Sequence, residues 1–127
     1  MKLLQKEIYC LTMSDNNRYN KVVDAIRSLA ARILPPGSRV TLFGSRARGD
    51  ARQDSDWDIH ILIPGPDKLS LTQMEKIFIP YFDKGLELGE EFNTLVYSYS
   101  GWDKRHFLPF YKNVTKDGIE LFRNLSG

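Results

Sequence analysis

The segment from Trp57 to Ile63 constrains the fold of this chain more than any other. It reads WDIHILI, so it is apolar apart from Asp58 and His60, and Pro64-Gly65-Pro66 closes it. A nearly continuous apolar run of this length is typical of a central strand that is covered on both faces. We therefore expect a sheet built around this strand, with helices packed on it.

Hydrophobic periodicity predicts the elements on either side of this strand. Apolar residues recur at helical spacing from Tyr19 to Ile33, and Ser14 or Asp15 could cap that helix. Pro80 is a potential kink or break in a later helix. The remaining predicted elements are a strand at 39–43, a helix at 69–88, a strand at 92–99, a helix at 102–114 and a short strand at 119–122.

This order of elements indicates the α/β (α+β) class, with a small mixed β-sheet and helices packed on it. Residues 1–13 fit either an edge strand or a helix. The 127 residues suit one domain, 1–127, in which residues 1–14 form an N-terminal extension and residues 38–63 form the motif core.

Composition narrows the class of protein further. The chain has 18 basic and 16 acidic residues, which weighs against a dedicated nucleic-acid binder. Cys10 is the only cysteine, so neither an intrachain disulfide nor a thiolate metal site is available. Gln5, Lys6 and Glu7 interrupt the apolar N-terminus and no long apolar run follows. We therefore expect no signal peptide, no membrane span and a cytoplasmic location.

Asp56 and Asp58 form an Asp-x-Asp pair at the start of the central strand. Because side chains alternate across a strand, both are expected on the same face of the sheet. Two acids there are costly unless a cation lies between them, and Mg²⁺ typically takes one or two carboxylates together with substrate phosphates. The pair indicates a magnesium site, although alone it also fits two acids that solvate the entrance of the strand.

Gly44-Ser45 ends the preceding strand and is expected to open a short helix. Exposed N–H groups and the helix dipole favour anions there, glycine lets the backbone approach a phosphate, and the Ser45 hydroxyl can donate another hydrogen bond. Alone, this pair also fits a plain turn. An anion site at the end of one strand beside a cation site on the next suits a nucleoside triphosphate with its magnesium.

Residues 44–49, GSRARG, together with residues 55–59, SDWDI, resemble a known signature. It is the G-S-x-A-R-G…S-D-x-D-[IL] pattern of the DNA polymerase β-like nucleotidyltransferase superfamily, in particular its minimal nucleotidyltransferase branch. The resemblance implies that Asp56 and Asp58 are the catalytic residues and bind the metal, and that Gly44 and Ser45 hold the triphosphate.

The two arginines of the signature have open roles. The resemblance implies that Arg46 and Arg48 steady the loop or contact its phosphates. Arg48 could equally pair with Asp50 or Asp54 and fix the loop structurally.

The same resemblance implies an activity and a partner. We expect magnesium-dependent transfer of a nucleotide, typically AMP from ATP, to an acceptor hydroxyl with release of pyrophosphate and two metal ions in the site. Stand-alone members of this branch resemble antitoxins paired with a small helical HEPN protein. The acceptor is then completed by such a partner or by a second copy of the chain.

Family members usually supply a third carboxylate from the next strand, and here the pattern is broken. The best register puts Asn93 at that position, which offers an amide oxygen but no charge. Glu91 is expected on the same face, two residues earlier at about 3.3 Å per residue, a long reach to the same metal. The alternative function is therefore a catalytically impaired NTP-binding or partner-binding module of the same fold.

Two weaker signals have simpler structural interpretations. His60 continues the face of Asp56 and Asp58, and a hydrogen-bonded strand histidine is a simpler interpretation than a metal or substrate contact. Basic and aromatic residues alternate between 102 and 116, which could bind single strands by stacking. An amphipathic helix with a solvated basic face is the preferred interpretation of that stretch.

Overall fold

A computed structural model describes the backbone of residues 5–124 and the side chains of residues 16–124. The elements are, in chain order, α1 Gln5–Ile33, β1 Arg39–Phe43, α2 Ser45–Arg48, β2 Trp57–Ile63, α3 Leu71–Leu88, β3 Phe92–Ser98, α4 Tyr99–Asp103, α5 Pro109–Asp117 and β4 Ile119–Arg123. In this part of the chain, no helix combines the length and apolarity needed to cross a bilayer.

The four strands form one mixed sheet in the order β3-β2-β1-β4. β2 is antiparallel to β1 and parallel to β3, while β4 is antiparallel to β1. Every residue of β2 except Asp58 is buried. The predicted mixed sheet and its central strand are therefore confirmed.

Helices cover the two faces of the sheet unequally. α1 and α3 cover one face, where Ile26, Ile59 and Tyr81 are fully buried and the Tyr81 hydroxyl donates to the carbonyl of Ile26 at 3.0 Å. α4 and α5 cover part of the other face with a smaller cluster that includes Trp102 and Val114. The uncovered end of this second face contains Asp58.

The first helix is longer than the sequence predicted. α1 begins at Gln5, so the ambiguous stretch 1–13 is helical wherever its backbone is described. The predicted cap at Ser14 or Asp15 is wrong, because helical backbone continues through both residues. Polar residues of this type favour caps but do not break a helix that already has an upstream turn. The side chains of residues 1–15 lie outside the described part.

The helix over β2 and β3 begins at Leu71, slightly later than predicted. The Ser70 side chain accepts from the Gln73 N–H, and the Gln73 side chain accepts from the Ser70 N–H. This reciprocal pair satisfies two backbone donors of the first turn. Pro80 lies inside the helix without ending it. Its missing N–H would pair with Lys76, which is exposed, so water can satisfy that carbonyl.

The predicted single helix at 102–114 is wrong, because this segment contains two helices. The Ser98 side chain accepts from the Gly101 N–H and starts α4, which also ends β3 one residue earlier than predicted. α5 starts afresh with Pro109 at its first position. Leu108 has extended backbone, as expected for a residue before proline.

Candidate active site

The end of β1 lies directly beside the start of β2. Phe43 is the register partner of Asp58, and Gly44 then turns the chain with a positive φ of 73°. A Cβ atom at Gly44 would overlap Oδ2 of Asp58. Glycine is required here because the backbone of the bend lies against the carboxylate, so the predicted anion and cation sites are adjacent.

The bend leads into the single turn of α2. The Gly44 carbonyl accepts from the N–H groups of Ala47 and Arg48 at 3.1 and 3.0 Å. The first residues of a helix have no intrahelical acceptor, so the N–H groups of Ser45 and Arg46 belong to the unpaired end of this turn. Gly49, with a φ of 84°, ends it. The geometry suits an anion placed next to Asp58.

The carboxylate of Asp58 is partly withdrawn from water. Burial raises its pKa above the ordinary value, and the nearby charge of Asp56 raises it further. A hydrogen bond from Asn93 and the charge of Arg48 act in the opposite direction. Asp56 itself is exposed just before β2. Two interacting acids, one of them partly desolvated, favour a bound cation.

Asn93 is the register partner of Asp58 across the parallel β2–β3 pair. Its Nδ2 donates to Oδ1 of Asp58 at 3.0 Å. The backbone carbonyl of Glu91 accepts from the Trp57 N–H at 2.9 Å, whereas its side chain is exposed. Within residues 16–124, no three His, Cys, Asp or Glu side chains are grouped closely enough to hold a metal. The structure thus brings two carboxylates and one amide together.

Arg46 braces the loop that leads to the acids. Its Nη2 donates to the carbonyls of Gln53 and Ser55 at 3.2 and 2.8 Å. The guanidinium lies over the Trp57 ring, 4.6 Å from its centroid, and the side chain is only 14% exposed. These contacts favour the loop-steadying role over a phosphate contact.

Arg48 is exposed and lies between two carboxylates. Its Nε donates to Asp50 at 3.3 Å, and its Nη1 lies 3.5 Å from Asp117. The hydrogen bond and charge of Asp50 are the main causes that raise its pKa. Of the two predicted acids, Asp50 is the one that pairs with it. The contact with Asp117 was missed because α5 brings that residue to the loop from a distant part of the chain.

Glu90 is a second residue that the sequence did not reveal. Its side chain is 7% exposed, accepts from Trp57 Nε1 at 2.8 Å and from Arg18 Nε at 2.6 Å, and lies 3.7 Å from Arg46 Nη2. It ties α1, β2 and α2 together on the face opposite Asp58. Only the strand register places these residues side by side.

His60 is part of the core. It is 2% exposed, and its ring lies 4.1 Å from that of Trp102. Burial, with a smaller contribution from the charge of Arg39, lowers its pKa to about 4. It lies in a strand as predicted, but the predicted hydrogen bonding is incomplete, because Nε2 has no hydrogen-bond partner.

The aromatic residues of the 102–116 segment are mostly used in packing. The Trp102 ring lies 5.6 Å from Phe110 and 4.6 Å from Tyr111. Phe107 is 73% exposed. Most rings in this segment are therefore not free to stack on bases, which favours the amphipathic-helix interpretation.

A four-stranded mixed sheet with a glycine-serine bend against an Asp-x-Asp strand defines a protein of the nucleotidyltransferase fold. A family model described as nucleotidyltransferase domain matches residues 20–117. The chain belongs to this family, and the family predicted from the GSRARG and SDWDI motifs is confirmed.

Two solved structures share the fold. One, described as a toxin-antitoxin crystal structure with AMP-PNP, has a TM-score of 0.59 and 19% identity over 80% of this chain and 73% of that chain. The other is a crystal structure from Sulfolobus solfataricus that is described as a nucleotidyltransferase. It has a TM-score of 0.54 and 18% identity over 87% of this chain and 88% of that chain. No curated protein matches the sequence. At these identities the likeness shows the fold.

Proposed function

We propose that the chain transfers AMP from ATP, in the presence of Mg²⁺, to a hydroxyl group on a partner protein. The acceptor oxygen would form a bond to the α-phosphorus while the bond from that phosphorus to the bridging oxygen breaks. Pyrophosphate leaves, and the hydroxyl proton passes to solvent. The observation that carries the proposal is the contact between the Gly44 bend and Asp58, which would put a bound phosphate next to a bound cation.

The residues present fit a divalent cation. Asp56 and Asp58 would hold it, since their mutual repulsion and the burial of Asp58 disfavour two uncompensated charges. A rotation of the Asn93 amide would present its oxygen in place of its nitrogen. When bound, divalent ions in such sites neutralise phosphate charge and support the attacking and leaving oxygens.

The glycine-serine bend would position the triphosphate. Its N–H groups at the start of α2 and the Ser45 hydroxyl donate toward an anion, while Arg46 keeps the 49–56 loop in place from behind. Phosphoryl transfer depends mainly on alignment and charge neutralisation. This chain supplies both through one bend and one strand.

The acceptor is proposed to be a small helical protein of the HEPN type, with this chain as its antitoxin. Support comes from the motif resemblance and from the fold shared with a toxin-antitoxin structure that contains AMP-PNP. Cytoplasm is the proposed location, since both nucleotide and Mg²⁺ are supplied there.

The test measures incorporation of label from α-labelled ATP into a co-purified helical partner, together with Mg-ATP binding by calorimetry. Asp58→Asn should lose incorporation by about a hundredfold or more, because the cation loses a charged ligand. Asp83→Asn, an exposed acid on α3, is the matched control and should retain it. Equal incorporation in both variants would contradict the proposed role of Asp58.

A second candidate is the impaired module that binds NTP without turnover. The amide of Asn93 at the position opposite Asp58 favours it. Mg-ATP binding by the wild-type chain without any incorporation into a partner would support this function and contradict the proposed nucleotide transfer.

A further inference from the structure

Helix α3 exposes five large apolar side chains. Their exposed fractions are 67% for Leu71, 42% for Phe78, 51% for Ile79, 49% for Phe82 and 66% for Leu86. This spacing puts all five on one face of the helix, here called the α3 stripe. The rings of Phe78 and Phe82 stack with centroids 6.1 Å apart. A contiguous exposed apolar surface of this kind marks an interaction site.

The α3 stripe continues into a groove beside the sheet edge. A groove of about 310 Å³ lies between α3 and β3 and includes Leu71, Phe78, Thr94 and Val96. β3 is an edge strand, so no further strand covers this side. At about 1.5 Å per residue the stripe is roughly 22 Å long, the length of about four helical turns.

Glu75 lies within this apolar face, one turn after Leu71 and one turn before Ile79. It is exposed and lines the same groove, and its carboxylate has no ion pair or hydrogen bond within residues 16–124. A partner that covers the stripe would bury this carboxylate, which is costly without an opposite charge. The occupant must therefore bring a lysine or arginine to Glu75.

Antiparallel pairing of two copies of the chain through the stripe does not meet this requirement. Four of the five stripe residues are symmetric about the midpoint between Phe78 and Ile79, so two antiparallel copies in that register would place Leu71 opposite Leu86. The same register places Glu75 opposite Phe82 of the copy, where no cation is available. Charge complementarity thus favours a different protein.

We propose that the α3 stripe binds an amphipathic helix of a partner protein, with apolar side chains over the stripe and a lysine or arginine facing Glu75. This inference rests on the proposed function, since it names the surface through which a helical partner attaches. The stripe shares no residue with the Gly44 and Asp58 site, and only its Leu86 end lines a groove with Asp54 and Ser55. Partner attachment and nucleotide binding can therefore be measured independently at Phe82.

The test uses two synthetic helical peptides of about 18 residues, identical except for a central lysine or glutamate within a leucine stripe. Their binding to the full chain is measured by fluorescence anisotropy. The wild-type chain should prefer the lysine peptide by about tenfold, and Glu75→Lys should reverse that preference. Phe82→Ser should weaken both peptides about tenfold or more, whereas Asp83→Lys, off the stripe, should leave the preference unchanged.

Three results would overturn the proposal. These are the absence of saturable binding, a preference that does not respond to Glu75→Lys, and a wild-type dimer that Phe82→Ser dissociates in sedimentation. Mg-ATP binding should be unchanged in Phe82→Ser. A wild-type chain that binds Mg-ATP but neither peptide contradicts only this inference, whereas a wild-type chain that binds peptide but not Mg-ATP contradicts only the proposed function.

Discussion

Nδ2 of Asn93 donates a hydrogen bond to Oδ1 of Asp58 across 3.0 Å, from the neighbouring parallel strand. An amide thus lies where the family resemblance leads one to expect a third acid. It stabilises the ionised form of Asp58 and partly offsets the effects of burial and of Asp56. With an amide at this position, Asp58 gains a hydrogen bond and avoids the repulsion that a third carboxylate would add.

Asn93→Asp should make the protein depend more strongly on divalent cations. In EDTA no divalent cation is available, so the new carboxylate repels Asp58 where the Asn93 amide donated a hydrogen bond. We expect a loss of stability of about 1–2 kcal/mol. With MgCl₂ the added ligand should restore the melting temperature and raise incorporation about tenfold. Thermal unfolding with and without MgCl₂ measures the first effect. Asn93→Ala, which adds no charge, is the control, and an equal response of both variants to Mg²⁺ would refute the prediction.

Gly44→Ala should abolish Mg-ATP binding and lower stability by more than about 2 kcal/mol, since a methyl group adds overlap with Asp58 to an unfavourable positive φ. Gly49→Ala is the matched control. It also has a positive φ, but its Cβ would meet nothing within 4 Å, so about 1 kcal/mol is expected. Calorimetry and urea unfolding measure both variants, and similar losses in the two would show that the contact with Asp58 is unimportant.

Arg46→Met should destabilise the protein by about 2 kcal/mol, because two carbonyls of the 49–56 loop lose a charged donor. Arg48→Met should destabilise the protein less than Arg46→Met, since the ion pairs of Arg48 are exposed. Urea unfolding compares them. If Arg48 contacts phosphate, its variant should instead raise the KM for ATP about tenfold. A larger stability loss for Arg48 than for Arg46 would reverse the assigned roles.

Stability should fall in mild acid because of His60. Its folded pKa is about 4, below the unfolded value of about 6.5, so only the unfolded state gains a proton between these values. The stabilising contribution is complete above pH 6.5 and is lost as the pH falls toward 4, by about 2 kcal/mol near pH 5. Urea unfolding at a series of pH values measures this. His60→Gln should flatten the slope, and an unchanged slope would exclude His60 as the cause.

The sequence alone predicted the features that depend on neighbouring residues. The apolar run from Trp57 to Ile63 indicated the central strand, and residues 44–58 contain both the glycine-serine bend and the acids. These features are short-range, because strand alternation and glycine conformation act over a few residues. The boundary errors, at α1 and between α4 and α5, come from residues that are compatible with more than one local state.

Tertiary structure decided everything that joins distant parts of the chain. The bond from Asn93 to Asp58, the contact of Arg48 with Asp117 and the burial of Glu90 beside Trp57 all depend on strand register and helix placement. The α3 stripe is the clearest case. Periodicity predicts a helix there, but whether an apolar face is core or surface depends on which other elements pack against it, and no described element covers this one.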